Sequence, residues 1–307
     1  MTTNGGARQQ SRRRTAGLLL PACRAVCDAH GMDDYRDVNR ANWDERVAAH
    51  AASPDYAVAR FTDDPAFLSE VVTFDLPRLG TITGLDAVHL QCHIGTDTVS
   101  LARLGATMTA LDFSAPALEQ GRRLAAAAGV EVDFVESDLY GAPEALGTGR
   151  FDLVYTGIGA LCWLPDIRRW ADVVAGLLRP GGRLFLREGH PMLWSLADAR
   201  PDGLLVVEYP YFEQREPVIW DEGGTYVETD QVFTKNVTHE WNHGLGEIVG
   251  AVLAAGLELT ALEEHATVPW NAIPGQMHDT GGGEFQLTDR PERLPHTYTL
   301  QARKPAP

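Results

Sequence analysis

The sequence predicts an α/β fold in which helices cover both faces of a mostly parallel β-sheet. Short apolar runs alternate with segments of helical length from residue 86 to residue 188, which is typical of repeated strand–helix units. After Glu188 the alternation stops. Three β-like runs between Gly- and Pro-containing turns, at 204–207, 218–220 and 226–227, then predict a small antiparallel insertion after the fifth strand, spanning about residues 191–238.

The elements of the main sheet can be assigned in order along the chain. An amphipathic helix at 37–50 comes before the first strand. The predicted strands are 87–91, 107–112, 130–135, 151–155, 182–188, 257–265 and 296–304. The predicted helices between them are 100–104, 116–128, 166–178 and 240–255.

The composition and net charge of the chain limit the kinds of molecule that it is expected to bind. The chain has 307 residues, of which 44% are hydrophobic and 22% charged, as in an ordinary globular protein. Its net charge of −16 disfavours nucleic acid and anionic membranes, because both attract clustered Lys and Arg. No apolar run approaches the roughly 18 residues of a membrane span, and the four cysteines show no disulfide framework. We therefore expect a cytoplasmic protein with a small-molecule partner, and the sequence leaves a homo-oligomer open.

The first 31 residues differ from the rest in charge. They carry five arginines against one acidic residue, Asp28. A second methionine, Met32, stands just before the first well-patterned helix. We expect residues 1–31 to be a disordered or dispensable basic extension.

Three features stand where predicted strands end. The loop 91–97 follows the first strand, Asp112 closes the second, and Asp138 follows the third. In an open parallel sheet, ligands bind outside the carboxyl ends of the strands. A carboxylate at Asp112 could accept hydrogen bonds from two ribose hydroxyls, and Asp138 could accept one from an adenine amino group. Together these features predict an adenosine pocket.

The order of these features resembles the class I S-adenosylmethionine (SAM)-dependent methyltransferases. The resemblance covers about residues 86–188 and rests on the loop, Asp112, Asp138, and the segments FDLVYT and LLRPGGRLFL. The later stretch WNHGLGEIVGAVLAAGLEL, followed by a final strand, is also similar to that family. The resemblance implies a Rossmann-like, seven-stranded sheet whose last strand is antiparallel, within a domain of residues 86–307. Residues 32–85 would then form a helical lid, with Tyr35, Asn39 and Trp43 over the donor.

The resemblance also implies SAM as the cofactor and a set of contacts to it. The predicted cofactor-binding residues are Trp43, Gln91, His93, Gly95, Thr98, Asp112, Phe113, Ser114, Asp138, Leu139 and Thr156. The loop departs from the family, which has an acid and three alternating glycines there. His89 occupies the place of the acid, Gln91 and His93 replace the first two glycines, and only Gly95 remains. The loss of two glycines also disfavours a nicotinamide cofactor, whose pyrophosphate needs the close backbone approach that they allow.

The acceptor side is predicted from aromatic residues and histidines after the fifth strand. Several aromatic residues there favour an apolar or aromatic acceptor, such as a specialised metabolite: Trp194, Tyr209, Tyr211, Phe212, Trp220, Trp241 and Trp270. If a hydroxyl or amine is methylated, His190 is the first candidate base, followed by His239 and His243. Two alternatives are a C-methyltransferase acting on a prenyl or terpenoid olefin through a carbocation, and a SAM-binding cyclase that transfers no methyl group.

Residues 239–243 match the zinc signature H-E-x-x-H. A zinc site would need one helix through both histidines, a third ligand and an open coordination position. The segment is predicted to start a helix, and no third ligand follows it. We therefore predict no metal.

Overall fold

The computed structural model describes residues 34–306, and the predicted basic extension at 1–31 lies outside them. Three helices come first: α1 (Asp34–Ala52), α2 (Val58–Asp63) and α3 (Glu70–Leu79). Strands and helices then alternate in the order β1 (Asp86–Leu90), α4 (Thr96–Arg103), β2 (Thr107–Asp112), α5 (Ala115–Ala128), β3 (Val132–Glu136), α6 (Ala142–Leu146), β4 (Phe151–Thr156), α7 (Ile167–Leu177) and β5 (Leu178–Gly189).

The remaining elements are shorter and more irregular. They are α8 (Pro191–Trp194), β6 (Val218–Asp221), β7 (Val237–Glu240), α9 (Leu245–Ala254), β8 (Glu258–His265), β9 (Thr267–Val268), β10 (Met277–Gly281), β11 (Glu284–Leu287) and β12 (Thr297–Arg303). Short 3-10 turns lie at Leu139–Gly141, Leu161–Trp163 and Pro291–Arg293.

The main sheet has seven strands in the order β3-β2-β1-β4-β5-β12-β8. The first five pair in parallel, whereas β12 runs antiparallel to both β5 and β8. This confirms the predicted fold class, including the antiparallel last strand. The strand order reverses between β1 and β4, so the carboxyl ends of these strands form the switch point at which such sheets bind ligands.

The smaller sheets differ in part from the prediction. The insertion contributes the antiparallel pair β6–β7 and an isolated bridge between Leu196 and Val207, but the predicted run at 226–227 is not a strand. A second sheet, β10-β11-β9, is formed by the residues that follow β8 and precede β12 in the chain. In that sheet, Gly282 and Gly283 form the turn of the β10–β11 hairpin.

The start of the last helix was predicted too early. Residues 239 and 240 pair with β6, and α9 begins only at Leu245 after Gly244. Val237 and Thr238 are β-branched and favour the strand that this pairing extends. The helical pattern of residues 245–254 was therefore extended too far toward the amino terminus.

The sheet buries an apolar core on each face. One core surrounds Trp170 and joins the sheet to α7 and α9. The other contains Val72 and Leu79 of α3, together with Tyr155 and Phe185. Of the amino-terminal helices, α3 packs into this second core. The helix α1 instead reaches over the carboxyl ends of the strands.

Candidate functional site

The loop between β1 and α4 has an unusual backbone. Gln91, His93 and Gly95 have φ values of 55°, 49° and 80°. Four non-glycine residues in the described part of the chain have positive φ, and two of them lie in this loop. These are the positions at which glycines are missing, so the loop has left-handed residues at all three alternating positions despite its side chains.

Gly95 is expected to be required for this loop. An added Cβ would lie 3.2 Å from Phe134 Cε1 at a φ of +80°, so Gly95→Ala should lower the free energy of unfolding by about 1–2 kcal/mol. Urea denaturation measures this change. The control is Gly176→Ala in α7, where an added Cβ meets no atom within 4 Å, and that variant should lose no stability. Equal stabilities for wild type and Gly95→Ala would contradict the prediction.

Asp112 stands at the end of β2 and faces the loop. Its Oδ2 accepts a hydrogen bond from His93 N at 2.8 Å, and its Oδ1 accepts one from Ser114 N at 2.9 Å. Each carboxylate oxygen keeps capacity for a further donor, so the residue fits a ribose with two hydroxyl groups. Burial raises the pKa of Asp112 to about 6, although the backbone N–H groups oppose this shift.

The other predicted adenosine contacts surround Asp112. Ser114 caps α5 and its hydroxyl donates to Asp44 Oδ1 at 2.6 Å. Asp138 follows β3, where its Oδ1 accepts from Tyr140 N and lies 3.9 Å from an Arg36 nitrogen. Phe113 is half-buried beside them. Leu139 and Thr156 are buried at the ends of β3 and β4.

Thr98 lies in the first turn of α4, directly after the loop. It is fully buried, and its hydroxyl lies 2.8 Å from Nδ1 of His89. The structure therefore gives Thr98 a supporting role beneath the loop, because its side chain projects into the core from the first turns of α4. Direct contact of Thr98 with the cofactor stays a prediction.

Trp43 of α1 lies over the loop. Its ring centroid is 4.9 Å from that of His93, 5.3 Å from that of Trp163 and 5.7 Å from that of His50. Trp163 follows β4. Trp43 of α1 and Trp163 of the segment after β4 thus pack beside the loop.

His50 connects the loop to the insertion. Its Nδ1 lies 2.8 Å from His93 Nε2, and its Nε2 lies 2.7 Å from Thr225 Oγ1. The hydroxyls of Tyr56 and Tyr226 also meet beside it. Burial lowers the pKa of His50 to about 4 and that of His93 well below its ordinary value, so both rings are neutral near pH 7.

Three more residues of α1 hold the insertion. Asn39 exchanges two hydrogen bonds with the backbone of His239, at 2.8 and 2.9 Å. Asn42 donates to Lys235 O, and Arg46 donates to Gly224 O and Lys235 O. Their spacing of three and four residues puts them on one side of the helix. The helix α1 thus bridges the insertion and the donor loop.

The segment after β4 is held by a buried acid. Glu188, at the end of β5, accepts hydrogen bonds from the backbone N–H groups of Gly159, Ala160, Leu161 and Gly189. The carbonyl of Ala160 in turn accepts from Gln91 Nε2 at 3.0 Å. Glu188 therefore fixes the segment against which the donor loop rests.

The predicted base candidates His190 and His243 have rings that contact other groups, whereas His239 is held through its backbone. His190 caps α8 by accepting from Met192 N, and its Nε2 lies 2.9 Å from Glu264 Oε1. The nitrogens of His243 contact Glu213 and the carbonyls of Leu161 and Leu164. The backbone of His239 pairs with Asn39. Of the three, His190 lies immediately after β5.

The zinc-like segment lacks the helix that its motif requires. His239 and Glu240 belong to β7, and His243 precedes α9 with both ring nitrogens occupied. Within residues 34–306, no group of three or more His, Cys, Asp and Glu side chains is arranged to hold a metal.

The aromatic residues of the later segments form separate pairs. Trp194 stacks on Trp270 at 5.6 Å, while Tyr209 meets Trp220 at 4.9 Å. Trp241 packs against Tyr35 at 5.2 Å.

Sequence reasoning missed several residues near the loop, namely His50, Tyr56, Trp163 and Tyr226. A signal existed for His50, since it follows Trp43 by seven residues and so shares its face of α1. Tyr226 gave no such signal, because only the folded insertion brings it to the loop.

Among residues 34–306, no helix combines the length and the apolar character needed to cross a membrane.

Comparisons with known proteins agree with this architecture. Residues 87–182 match a family model described as a methyltransferase domain. A ubiquinone biosynthesis O-methyltransferase of Klebsiella pneumoniae is 31% identical over 126 residues, which cover 40% of this chain and 51% of that protein. The chain thus spans about half the length of the curated relatives that it matches.

Solved structures extend the likeness of fold beyond that segment. An S-adenosylmethionine-dependent methyltransferase from Mesorhizobium loti has a TM-score of 0.51 at 21% identity, with 79% of this chain and 100% of that chain covered. DhpI, in a complex with SAH, has a TM-score of 0.50 at 16% identity, covering 91% of this chain and 100% of the other. Residues 87–182 are therefore a methyltransferase domain, and the described chain has the fold of the class I SAM-dependent methyltransferases.

Proposed function

We propose that this chain is a SAM-dependent methyltransferase. Its acceptor is a small organic molecule, namely a specialised metabolite. The observation that carries the proposal is Asp112, a buried carboxylate at the end of β2 that faces the loop and whose two oxygens each accept a backbone hydrogen bond within the described residues. Two vicinal hydroxyls of a ribose match that pair of acceptors.

The residues around Asp112 suit the remaining parts of the cofactor. Asp138 would accept from the adenine amino group, and the loop from Gln91 to Gly95 would hold the methionine part. Bound SAM supplies a methyl group already activated on a sulfonium. The protein's own task is to position the acceptor and exclude water, and α1 suits this task because Trp43 lies over the loop while Asn39, Asn42 and Arg46 tie the helix to the insertion.

The acceptor class is proposed from weaker observations. The curated relatives are named for O-methylation in ubiquinone biosynthesis, so a hydroxyl on an aromatic ring is the first acceptor to test. The net charge of −16 favours a neutral or cationic molecule over nucleic acid. If a base is needed, His190 is the first histidine to replace once an acceptor is known, since it directly follows the end of β5.

The proposal is tested first by calorimetric titration of the wild-type protein with SAM and, separately, with NADH. Micromolar binding of SAM without binding of NADH supports it, and the reverse result would overturn it. The second step incubates protein and SAM with phenols, amines and prenyl olefins and measures S-adenosylhomocysteine. Turnover on an olefin would favour C-methylation. Conversion of an acceptor without S-adenosylhomocysteine would favour the cyclase alternative.

The affinity for adenosine is expected to fall as the pH is lowered through 6. Burial raises the pKa of Asp112 to about 6, so the carboxylate is ionised above this pH and gains a proton below it. A protonated carboxyl loses part of its acceptor capacity for the ribose hydroxyls, and affinity should drop by up to about tenfold per pH unit below the pKa. Adenosine is the probe because it has no ammonium group. Calorimetry at pH 5 and pH 7.5 measures the ratio, and equal affinities would contradict the prediction.

A further inference from the structure

The acid that class I methyltransferases carry before their glycine loop is replaced here by His89. Its ring is buried and held by Thr98, and burial lowers the pKa of His89 to about 3. The ring is therefore neutral and supplies no negative charge. On the proposed function, the methionine part of SAM still brings a positively charged amino group to this loop, so another residue has to balance it.

Asp97 lies beside the position that His89 leaves uncharged. It is in the first turn of α4. A Cβ added to Gly157 would lie 3.6 Å from Asp97 Oδ2 and 3.3 Å from His89 Nε2. Leu90 and Thr156 are paired in the sheet, so the residues that follow them, Gln91 and Gly157, leave β1 and β4 side by side. Asp97 therefore borders the gap between these two strand ends.

Among residues 34–306, two buried oxygen atoms at the same strand ends have no hydrogen-bond partner. They are Oε1 of Gln91 and Oγ1 of Thr156, and the Thr156 side chain is fully buried. The Gln91 amide is fixed because its Nε2 donates to Ala160 O. Buried acceptors without a donor are unfavourable. An ammonium group has three N–H donors to offer, so one that binds beside Asp97 at these strand ends could also donate to such an oxygen.

Within residues 34–306, no Lys, Arg or His nitrogen forms an ion pair with Asp97. Burial raises the pKa of Asp97, and a hydrogen bond from the Ser69 hydroxyl and the positive charge of Arg187 oppose this shift. Arg187 itself is paired with Glu284, with its guanidinium 2.8 and 3.0 Å from the two carboxylate oxygens. Asp97 can therefore serve as the anionic partner of a ligand.

We propose that Asp97 is the counter-charge for the amino group of the methionine part of SAM, with Gln91 Oε1 and Thr156 Oγ1 as further acceptors. This inference rests on the proposed function. It moves the negative charge of the subsite from the end of β1, where this chain has a histidine, to the first turn of α4.

The test compares two nucleosides that differ in the amino-acid part. S-adenosylhomocysteine carries the ammonium group, whereas 5′-methylthioadenosine carries the same adenosine without it. Asp97→Asn should weaken S-adenosylhomocysteine binding about 10- to 100-fold, as expected for loss of a hydrogen bond between charged groups. It should leave the affinity for methylthioadenosine unchanged. Calorimetry on the full chain gives both dissociation constants without any need for turnover.

A second variant tests the same gap without removing a charge. Gly157→Ala puts a methyl group 3.6 Å from Asp97 Oδ2 and should weaken S-adenosylhomocysteine more than methylthioadenosine. Glu119→Gln is the matched control, because Glu119 is an exposed acid on α5 and its loss should change neither affinity.

The outcomes separate the inference from the proposed function. If wild type binds both nucleosides and Asp97→Asn weakens both equally or neither, Asp97 is not the counter-charge and the inference fails alone. If wild type binds neither nucleoside, the proposed function fails and the inference fails with it. Thermal unfolding shows whether each variant is folded, and Gly157→Ala decides the question if Asp97→Asn is not.

Discussion

Replacing Asp112 by alanine is expected to weaken SAM binding at least about 100-fold, because two hydrogen bonds to a carboxylate are lost together. The same carboxylate also orients the loop through His93 N and the start of α5 through Ser114 N. Alanine removes both the ribose acceptors and this support. Calorimetric titration of wild type and variant with SAM measures the effect.

The control for this variant is Asp133→Ala. Asp133 is an exposed acid on the neighbouring strand β3, so its removal changes the net charge equally without touching the pocket. Asp112→Asn is the milder companion, since it keeps one acceptor oxygen and should bind with intermediate affinity. A dissociation constant for Asp112→Ala within a few-fold of wild type would remove Asp112 from the ribose site.

The sheet was predictable because its signals are local. Each parallel strand is an apolar run bounded by a turn, and each crossover is a helix with its own pattern. Parallel topology then brings the carboxyl ends of β1, β2 and β3 to one edge. For this reason Asp112 and the loop could be expected together from sequence, and their contact at 2.8 Å agrees with that expectation.

The backbone conformation of the loop was harder to predict from the sequence. Glutamine and histidine rarely adopt positive φ, at a cost of roughly 1–2 kcal/mol per residue, so their presence at positions 91 and 93 suggested a changed loop. The structure instead keeps left-handed residues at both positions. Long-range contacts of Gln91 with Ala160 and of His93 with His50 hold these side chains. No local sequence pattern predicts these contacts.

The elements that failed in prediction depend on pairing between distant residues. The sheet β10-β11-β9 is formed by the segment of chain that follows β8 and precedes β12. Its strands have only two to five residues each. Such strands are stabilised by their neighbours more than by their own propensity. The contacts of Thr225 and Tyr226 with His50 likewise join residues more than 170 positions apart, which a single sequence does not reveal.

Glu188→Ala is expected to lower the free energy of unfolding by roughly 3–5 kcal/mol, since several buried donors lose their partner at once. The Glu188 side chain is 2% exposed and accepts four backbone hydrogen bonds between 2.6 and 2.8 Å. Alanine leaves these N–H groups without an acceptor and opens space that is too enclosed to solvate them freely. Urea denaturation followed by circular dichroism measures the loss.

The companion variant Glu188→Gln separates the hydrogen bonds from the volume. Glutamine fills the same space but directs an NH₂ group at one or more of the N–H donors, so an intermediate loss of about 2 kcal/mol is expected. Glu258→Gln, which alters an exposed acid paired with Arg303, should change the stability by less than about 1 kcal/mol. If Glu188→Ala were no less stable than Glu258→Gln, the segment after β4 would have to be held by its other contacts, namely those of Trp163, His243 and Gln91.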